Sequence, residues 1–344
     1  NSEGSFECQI TKKWGKSYQD QDKSVAVDSS GNVFVTGSTY LGLDGNSNVG
    51  YYDIFLTKFD NAGNKQWTKQ WGTIGEDIGN SVAVDSSGNV FVTGSTQGGL
   101  DGNTNSNTNC TGLTTINCHD IFLTKFDNAG NKLWTKQWGT TSYDRGNSVA
   151  VDSSGNVFVT GWTLGGLDGN TNTGYYDIFL TKWNNTGVKQ WTKQWGTDKE
   201  DTGESVAIDS SGNVFVSELS SLTKFDNEGN ELFTKKWDDR YSKSIAIDKS
   251  ENVFVVGYSS NELDENKKNI RSNGGVYDTH AFLTKFDNAG NKLWTKQWGT
   301  NDEDFGKSVA VDNSGNVFVT GEVGRRVGDI FLTKFDNAGN KLWT

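Results

Sequence analysis

The sequence predicts an all-β fold: a six-bladed β-propeller of four-stranded antiparallel blades, with the ring closed by the N- and C-terminal segments. Three observations carry that expectation. The phrase Ser-Val-Ala-Val-Asp-Ser-Ser-Gly-Asn-Val-Phe-Val runs from Ser24 to Val35 and recurs, slightly varied, from Ser81, Ser148, Ser205, Ser244 and Ser308. A second phrase, Asp-Ile-Phe-Leu-Thr-Lys-Phe-Asp-Asn-Ala-Gly-Asn-Lys, follows each copy from Asp53, Asp120, Asp177 and Asp329, and in eroded form from Ser220 and His280. A tryptophan closes each unit at Trp71, Trp138, Trp195, Trp237 and Trp298, while its relative Trp14 stands alone near the N-terminus.

Each unit holds four short β-rich runs, exemplified by Ser81 to Val84, Asn89 to Thr93, Asp53 to Phe59 and Gln66 to Trp71. These read as strands A to D. Asp-Ser-Ser-Gly-Asn joins A to B and Asp-Asn-Ala-Gly-Asn joins C to D. Both read as type I turns closed by a left-handed Gly, and hence as tight antiparallel hairpins. Four antiparallel strands per repeat point to propeller blades rather than to a sandwich. Parity within strand D puts Trp134, Lys136 and Trp138 on one face, so the indoles are expected to cover the neighbouring blade. Strands A and B are apolar or small on both faces (Val149, Ala150, Val151; Val157, Phe158, Val159), so burial is expected to peak there.

The phrases VAVDSSGNVFVTG and DIFLTKFDNAGNKLWTKQWG resemble the bacterial β-propeller repeat called SBBP, with a fainter likeness to NHL repeats. The resemblance runs from Ile10 to Thr344. It implies a single propeller domain over residues 10–344 preceded by an arm, 1–9. It implies no common activity, because a fold hosts function only through its sites.

Composition narrows the function classes. The chain has 344 residues and a net charge of −11, which opposes nucleic acid as a partner because phosphate neutralisation needs a basic surface. No apolar run approaches a spanning helix. The opening at Asn1 has neither Met nor a charged-then-apolar leader, so any export signal has been removed, as a secreted location expects, or was never part of this sequence. Pro and Met are absent, so the turns depend on Gly, Asn, Asp and Ser.

Several constellations are candidate sites. Three matching B-to-C loops carry Asp44, Asn46 and Asn48; Asp101, Asn103 and Asn105; and Asp168, Asn170 and Asn172. Oxygen ligands at alternate positions suit Ca²⁺, the one cofactor the sequence suggests, although Asx side chains also hold turns by bonding their own backbone. An acid precedes strand A at Asp20, Asp77, Asp144, Asp201 and Asp304, with Arg240 in the fifth unit. These acids read either as a cation-holding ring or as caps on loop amides. Cys110 and Cys118 arrive together in the one long B-to-C loop of the second repeat. They are expected to form a disulfide, which argues for an oxidising compartment. Cys8 is left over. Asn109 and Asn184 begin glycosylation-type triplets, a pattern common by chance. The fourth unit is short and has Glu218 where the others have Gly, and the fifth replaces a turn Gly by Glu251.

Catalysis is not expected. The two histidines, His119 and His280, lie in different repeats without a repeated nucleophile, and both read as loop or surface residues. Acid pairs such as Glu76–Asp77 or Glu200–Asp201 suit glycoside chemistry, but repetition opposes it because catalysis needs different residues in different places. The leading expectation is a secreted or cell-surface scaffold whose partner is a further copy of itself or another surface protein. The termini carry the self-assembly idea. The last strand D stops at Thr344, and the segment containing Cys8, Ile10 and Trp14 would complete it within the chain or on a neighbour. The rival is a Ca²⁺-assisted carbohydrate-binding propeller using Tyr51, Tyr52, Trp162, Tyr175 and Tyr176 as stacking platforms.

Overall fold

The computed structural model describes residues 15, 20–107, 119–237, 240–261, 263, 279–300, 303–324 and 329–344. The arm 1–9, with Cys8, and the residues Ile10, Trp14, Asn109, Cys110 and Cys118 lie outside them. The chain divides into two compact units, Asn1–Gly146 and Asn147–Thr344.

Six four-stranded sheets, each ordered as the chain runs, form the blades. The first unit holds blade one (β1 Gln21–Val27, β2 Val33–Thr39, β3 Asp53–Phe59, β4 Lys65–Trp71) and blade two (β5 Asp77–Val84, β6 Val90–Thr96, β7 Asp120–Phe126, β8 Lys132–Trp138). Blade three (β9 Asp144–Val151, β10 Val157–Thr163, β11 Asp177–Trp183, β12 Lys189–Trp195) begins at the unit boundary. Blade four follows (β13 Gly203–Ile208, β14 Val214–Glu218, β15 Ser221–Phe225, β16 Glu231–Lys236), then blade five (β17 Arg240–Ile247, β18 Val253–Ser259, β19 His280–Phe286, β20 Lys292–Trp298). Blade six ends the chain (β21 Asp304–Val311, β22 Val317–Val323, β23 Asp329–Phe335, β24 Lys341–Trp343). Among the described residues the helical content is two single 3₁₀ turns, Leu100–Gly102 and Leu167–Gly169.

The hairpin turns form for a local reason. In the first, Asp28 Oδ1 accepts from the amides of Ser30 and Asn32, both at 2.9 Å, while Asn32 Nδ2 donates to Asp28 Oδ2. Gly31 sits at φ 81°, which costs a residue without Cβ nothing. The same clamp recurs between strands C and D, as at Asp127 and Asn131. In blade three Asn184 takes the aspartate's place and its Oδ1 accepts from the amides of Thr186 and Val188. Glu251 holds the turn position of blade five at φ 67°, a strained angle for a side chain. Its carboxylate accepts from Ser210 of blade four and from Asn288 Nδ2, bonds that a glycine there would lack.

Burial peaks in strands B and C, not in A and B as the sequence suggested. β6 and β7 are buried throughout, whereas β5 alternates buried with half-buried residues. The physical reason is position, since A has a paired neighbour on one side only while B and C have one on each.

Within each unit three contacts join successive blades. The D-strand indole covers the next blade, as expected: Trp71 meets Phe126 with ring centroids 5.0 Å apart, and Trp195 meets Phe225 at the same separation. In blades two and three a strand-A asparagine reaches the next strand A, with Asn80 Nδ2 donating to the Gly146 carbonyl at 2.9 Å and Asn147 Nδ2 to the Gly203 carbonyl at 3.0 Å. The third contact was not read from the sequence. In blades one, three, four and five the strand-C lysine, in a Thr-Lys-Phe triplet or Thr-Lys-Trp in blade three, lies over the Phe of its own strand B and donates to the C-to-D turn of the following blade. Lys58 lies over Phe34 and bonds Asn128, and Lys182 lies over Phe158 and bonds Asn227. Lys224 and Lys285 repeat the arrangement with Asn288 and Asn337.

Among the described residues the outer strand of blade six is the shortest of the six. β24 pairs with β23 only at Lys334↔Trp343 and Phe335↔Lys341, so Asp329 to Leu332 have no outer strand among the described residues. Ile330 is 86% exposed where its counterpart Ile121 is fully buried.

Candidate functional site

The three B-to-C loops are built alike. Asp44, Asp101 and Asp168 adopt φ near 52° and turn their carboxylates onto strand D. Asp101 pairs with Lys132 at 2.7 Å and accepts from the Thr135 hydroxyl, Asp168 does the same with Lys189 and Thr192, and Asp44 with Lys65 and Thr68. Asn46, Asn103 and Asn170 donate to the carbonyls of Leu43, Leu100 and Leu167, while Asn48, Asn105 and Asn172 donate to Thr39, Gln97 and Thr163. Each loop amide at Leu43, Leu100 and Leu167 donates in turn to a strand-D glutamine, Gln70, Gln137 or Gln194. Each residue of the trio therefore holds a different partner, and each carboxylate already faces an ammonium. No cluster of three or more acidic, His or Cys side chains spaced for a metal occurs among the described residues.

The aromatic candidates come together in two clusters. Tyr51 and Tyr52 meet edge to face at 4.9 Å, and Tyr40 joins both. Tyr176 is shared by Trp162 at 4.3 Å and Tyr175 at 4.5 Å. Tyr51 and Tyr175 are exposed, whereas Tyr52 is buried.

The strand-A acids cap loops. Asp77 accepts from the Thr73 amide and hydroxyl and from Thr96, and Asp201 accepts from the Thr197 amide and hydroxyl. A Cβ at Gly72 would collide with both Asp53 Oδ1 and Asp77 Oδ2, so the two carboxyls flank a residue that has to be glycine. Gly139 lies likewise between Asp120 and Asp144. Burial pushes the Asp77 carboxyl up to about 6, with neighbouring Asp53 adding to the shift.

Both histidines are buried, which corrects the surface reading. His119 is 3% exposed, its ring tilted against Tyr143 at 4.3 Å with Nε2 3.3 Å from Glu76 Oε2. That imidazole is the first cause holding the Glu76 carboxyl below its ordinary value. His280 stands first in β19, where blades one to three have Asp53, Asp120 and Asp177, and its Nδ1 lies 4.0 Å from Asp304. A ring placed in the repeat's own buried carboxylate position is buried with it.

Blade four departs from the repeat at several linked positions. In the other blades a strand-B glycine pairs across the sheet with a strand-C phenylalanine, as Gly94↔Phe122 and Gly257↔Phe282. Blade four has Glu218 and Ser221 there, hydrogen-bonded to each other across the two-residue connection Leu219-Ser220. Removing the ring and adding a carboxyl exchanges volume for polarity. Glu218 also accepts from Trp195 Nε1 and the Thr223 hydroxyl, and burial is the first cause raising its pKa above the usual carboxylate range. With the loop gone, Lys236 pairs with Ser221 in the register where Gln70 pairs with Phe55. The space left is a pocket of about 550 Å³ whose walls include Thr197, Glu218, Ser221, Trp237, Arg240 and Tyr241.

Six antiparallel four-stranded blades define the chain as a β-propeller scaffold. The SBBP β-propeller repeat model matches four segments of the chain, residues 9–49, 66–101, 133–168 and 293–322. The regulatory protein FlaEY of Caulobacter vibrioides is 28% identical over 207 residues, 55% of this chain and 21% of that protein. The uncharacterized WD repeat-containing protein L264 of Acanthamoeba polyphaga mimivirus is 24% identical over 154 residues, 40% of this chain and 11% of that protein. This chain thus spans only a minor part of both relatives. The crystal structure of the RRP9 WD40 repeats superposes with a TM-score of 0.60 at 10% identity, covering 95% of this chain and 81% of that one, which is a likeness of fold. No helix among the described residues is long and apolar enough to cross a membrane.

Proposed function

We propose that this chain is a non-enzymatic scaffold of the cell surface or exterior that works through protein contacts and assembles with copies of itself by strand addition. The observation that carries the reading is the outer edge of β23. Asp329 to Leu332 present unpaired backbone among the described residues, and Ile330 and Leu332 are exposed. An open strand edge bearing apolar side chains is a template for another strand. The N-terminal residues supply a sequence of matching type, since Lys13-Trp14-Gly15 follows the pattern of Gln137-Trp138-Gly139. The surface location rests on Cys110 and Cys118 occurring together in one loop. Deleting residues 1–9 is expected to abolish assembly, read by light scattering after size exclusion, and to leave the β-sheet circular dichroism intact. Unchanged assembly of the truncated chain, or a strictly monomeric intact chain, overturns strand exchange through this arm.

A second reading is favoured by the two aromatic clusters. Exposed Tyr51 and Tyr175, each braced edge to face by a neighbouring tyrosine, are pre-positioned planes of the kind that stack on sugar rings. Under this reading a glycan array gives binding that Tyr175→Ala removes and that a chelator weakens. An array blank at all glycans rejects it.

A further inference from the structure

The geometry points to the blade four pocket as a binding site for a small hydroxylated carboxylate, the chemistry of a sugar acid, with Arg240 pairing the ligand's carboxylate. This site is separate from the β23 edge and from the tyrosine clusters.

Arg240 stands where the five other blades place Asp20, Asp77, Asp144, Asp201 or Asp304, so a guanidinium has replaced an acid at one repeat position. It is half-buried, its Nε is buried without a hydrogen-bond partner, and among the described residues it forms no ion pair. Among the described residues its charge lies over the Phe282 ring, 6.0 Å away. Burial holds it below the ordinary guanidinium value. A desolvated charge with no partner is costly, and Arg presents a planar fork of donors that matches a carboxylate. Trp237 lines the same pocket, and its indole N–H is likewise buried with no acceptor. Among the described residues, two donors in one pocket lack acceptors.

The remaining walls select the rest of the ligand. Glu218 is satisfied by Ser221, Thr223 and Trp195, so it shapes the floor without a free valence. Asp198 and Glu200 stand exposed at the rim, with Lys199 between them. A bare anion is repelled by those acids and a cation by Arg240. A molecule with a carboxylate at one end and hydroxyl donors along its body suits both, and Trp237 and Tyr241 offer rings to its carbon face. The volume of about 550 Å³ lies in the range of small-molecule sites.

Titration of the full chain with glucuronate, gluconate, glucose, acetate and alanine, followed by Trp fluorescence and calorimetry, tests the assignment. Saturable binding is expected for glucuronate or gluconate, and none for glucose. Arg240→Gln is expected to weaken it by at least about tenfold, the scale of one charge-assisted bond. Arg240→Asp restores the acid of the other blades, so it should fold and bind nothing. Trp237→Phe keeps an aromatic face but removes the pyrrole ring with its N–H, and a severalfold loss is expected. The proposal is overturned if neither sugar acid binds, if glucose or alanine binds as well as they do, or if Arg240→Gln binds like the parent.

Discussion

Lys224→Met is expected to destabilise the protein by about 3 kcal/mol, as removing one partner from a buried, hydrogen-bonded charge cluster does. The Lys224 Nζ donates to Asn288 of the next blade, lies 3.6 Å from Asp209 Oδ2, and sits over the Phe215 ring at 4.8 Å. Asn288 Nδ2 bonds the same Asp209 oxygen at 3.1 Å, so lysine, aspartate and asparagine close a triangle across the blade four to blade five junction. Met keeps the packing over Phe215 and removes only the ammonium. Asn288 then loses a donor from both its carbonyls, and Asp209 loses its counter-charge at a site where the carboxylate is almost fully covered. Lys249→Met, at an exposed lysine one residue past the Asp248 turn position, serves as the control and should stay within about 0.5 kcal/mol. Urea denaturation of both variants decides the matter. If Lys224→Met costs no more than Lys249→Met, the lysine bridge is ornamental and the indole and phenylalanine contacts alone join the blades.

That bridge also marks where sequence reading ends. The hairpins were legible because each turn is held within five residues: Asp28, Gly31 and Asn32 are all in one phrase, and their bonds are local. Blade count and strand order followed from repetition. The lysine of Thr-Lys-Phe was not legible, because on a strand it alternates with apolar neighbours and reads as a solvated face. Its partner Asn128 is seventy positions from Lys58, and nothing in either phrase names the other. The burial maximum moved from A to C for a similar reason, since composition reports side chains but not how many strands flank them.

The blade four pocket lies between these cases. Its signals were all present: Glu218 for Gly, Ser221 for Phe, Lys236 for Gln, and Arg240 for the strand-A acid. Taken singly, each looks like drift in one copy. They gain meaning together once the strand register brings Glu218 and Ser221 to the two ends of a tight connection and shows that no loop covers them. The histidines teach the converse. His280 departs from the repeat too, but it fills a buried carboxylate position and faces Asp304, so its novelty is absorbed by the core.

Stability should fall as pH rises from about 4 to above 6, and Asp77 should account for much of the fall. Its carboxyl is pushed up by burial from the usual 3.8 to about 6. The folded chain therefore keeps that proton at pH values where the unfolded chain has released it. The contribution is fully present below the unfolded value and is lost as pH passes through the folded one. A shift of this size corresponds to about 3 kcal/mol over the whole window, of which about 2 kcal/mol falls between pH 4.5 and 7.5. Burial raises Asp53 as well, and its Oδ1 has no hydrogen-bond partner among the described residues, so the carboxyl facing Asp77 pushes in the same direction. The turn aspartates act oppositely. Asn131, Asn230 and Asn291 side chains hold Asp127, Asp226 and Asp287 below the ordinary value, and the stability they confer is lost as pH falls through their lowered values. The two sets together place maximum stability in mildly acid solution, between the titration of the turns and that of the buried pair. Asp77→Asn removes the buried charge while keeping an oxygen for the Thr73 amide, so its unfolding free energy should lose about 2 kcal/mol less than the parent's between pH 4.5 and 7.5. Guanidinium titrations at both pH values measure the difference. Parallel profiles for parent and variant would mean that Asp77 is already ionised in the folded state near pH 5, and that the bonds from Thr73 and Thr96 outweigh its burial.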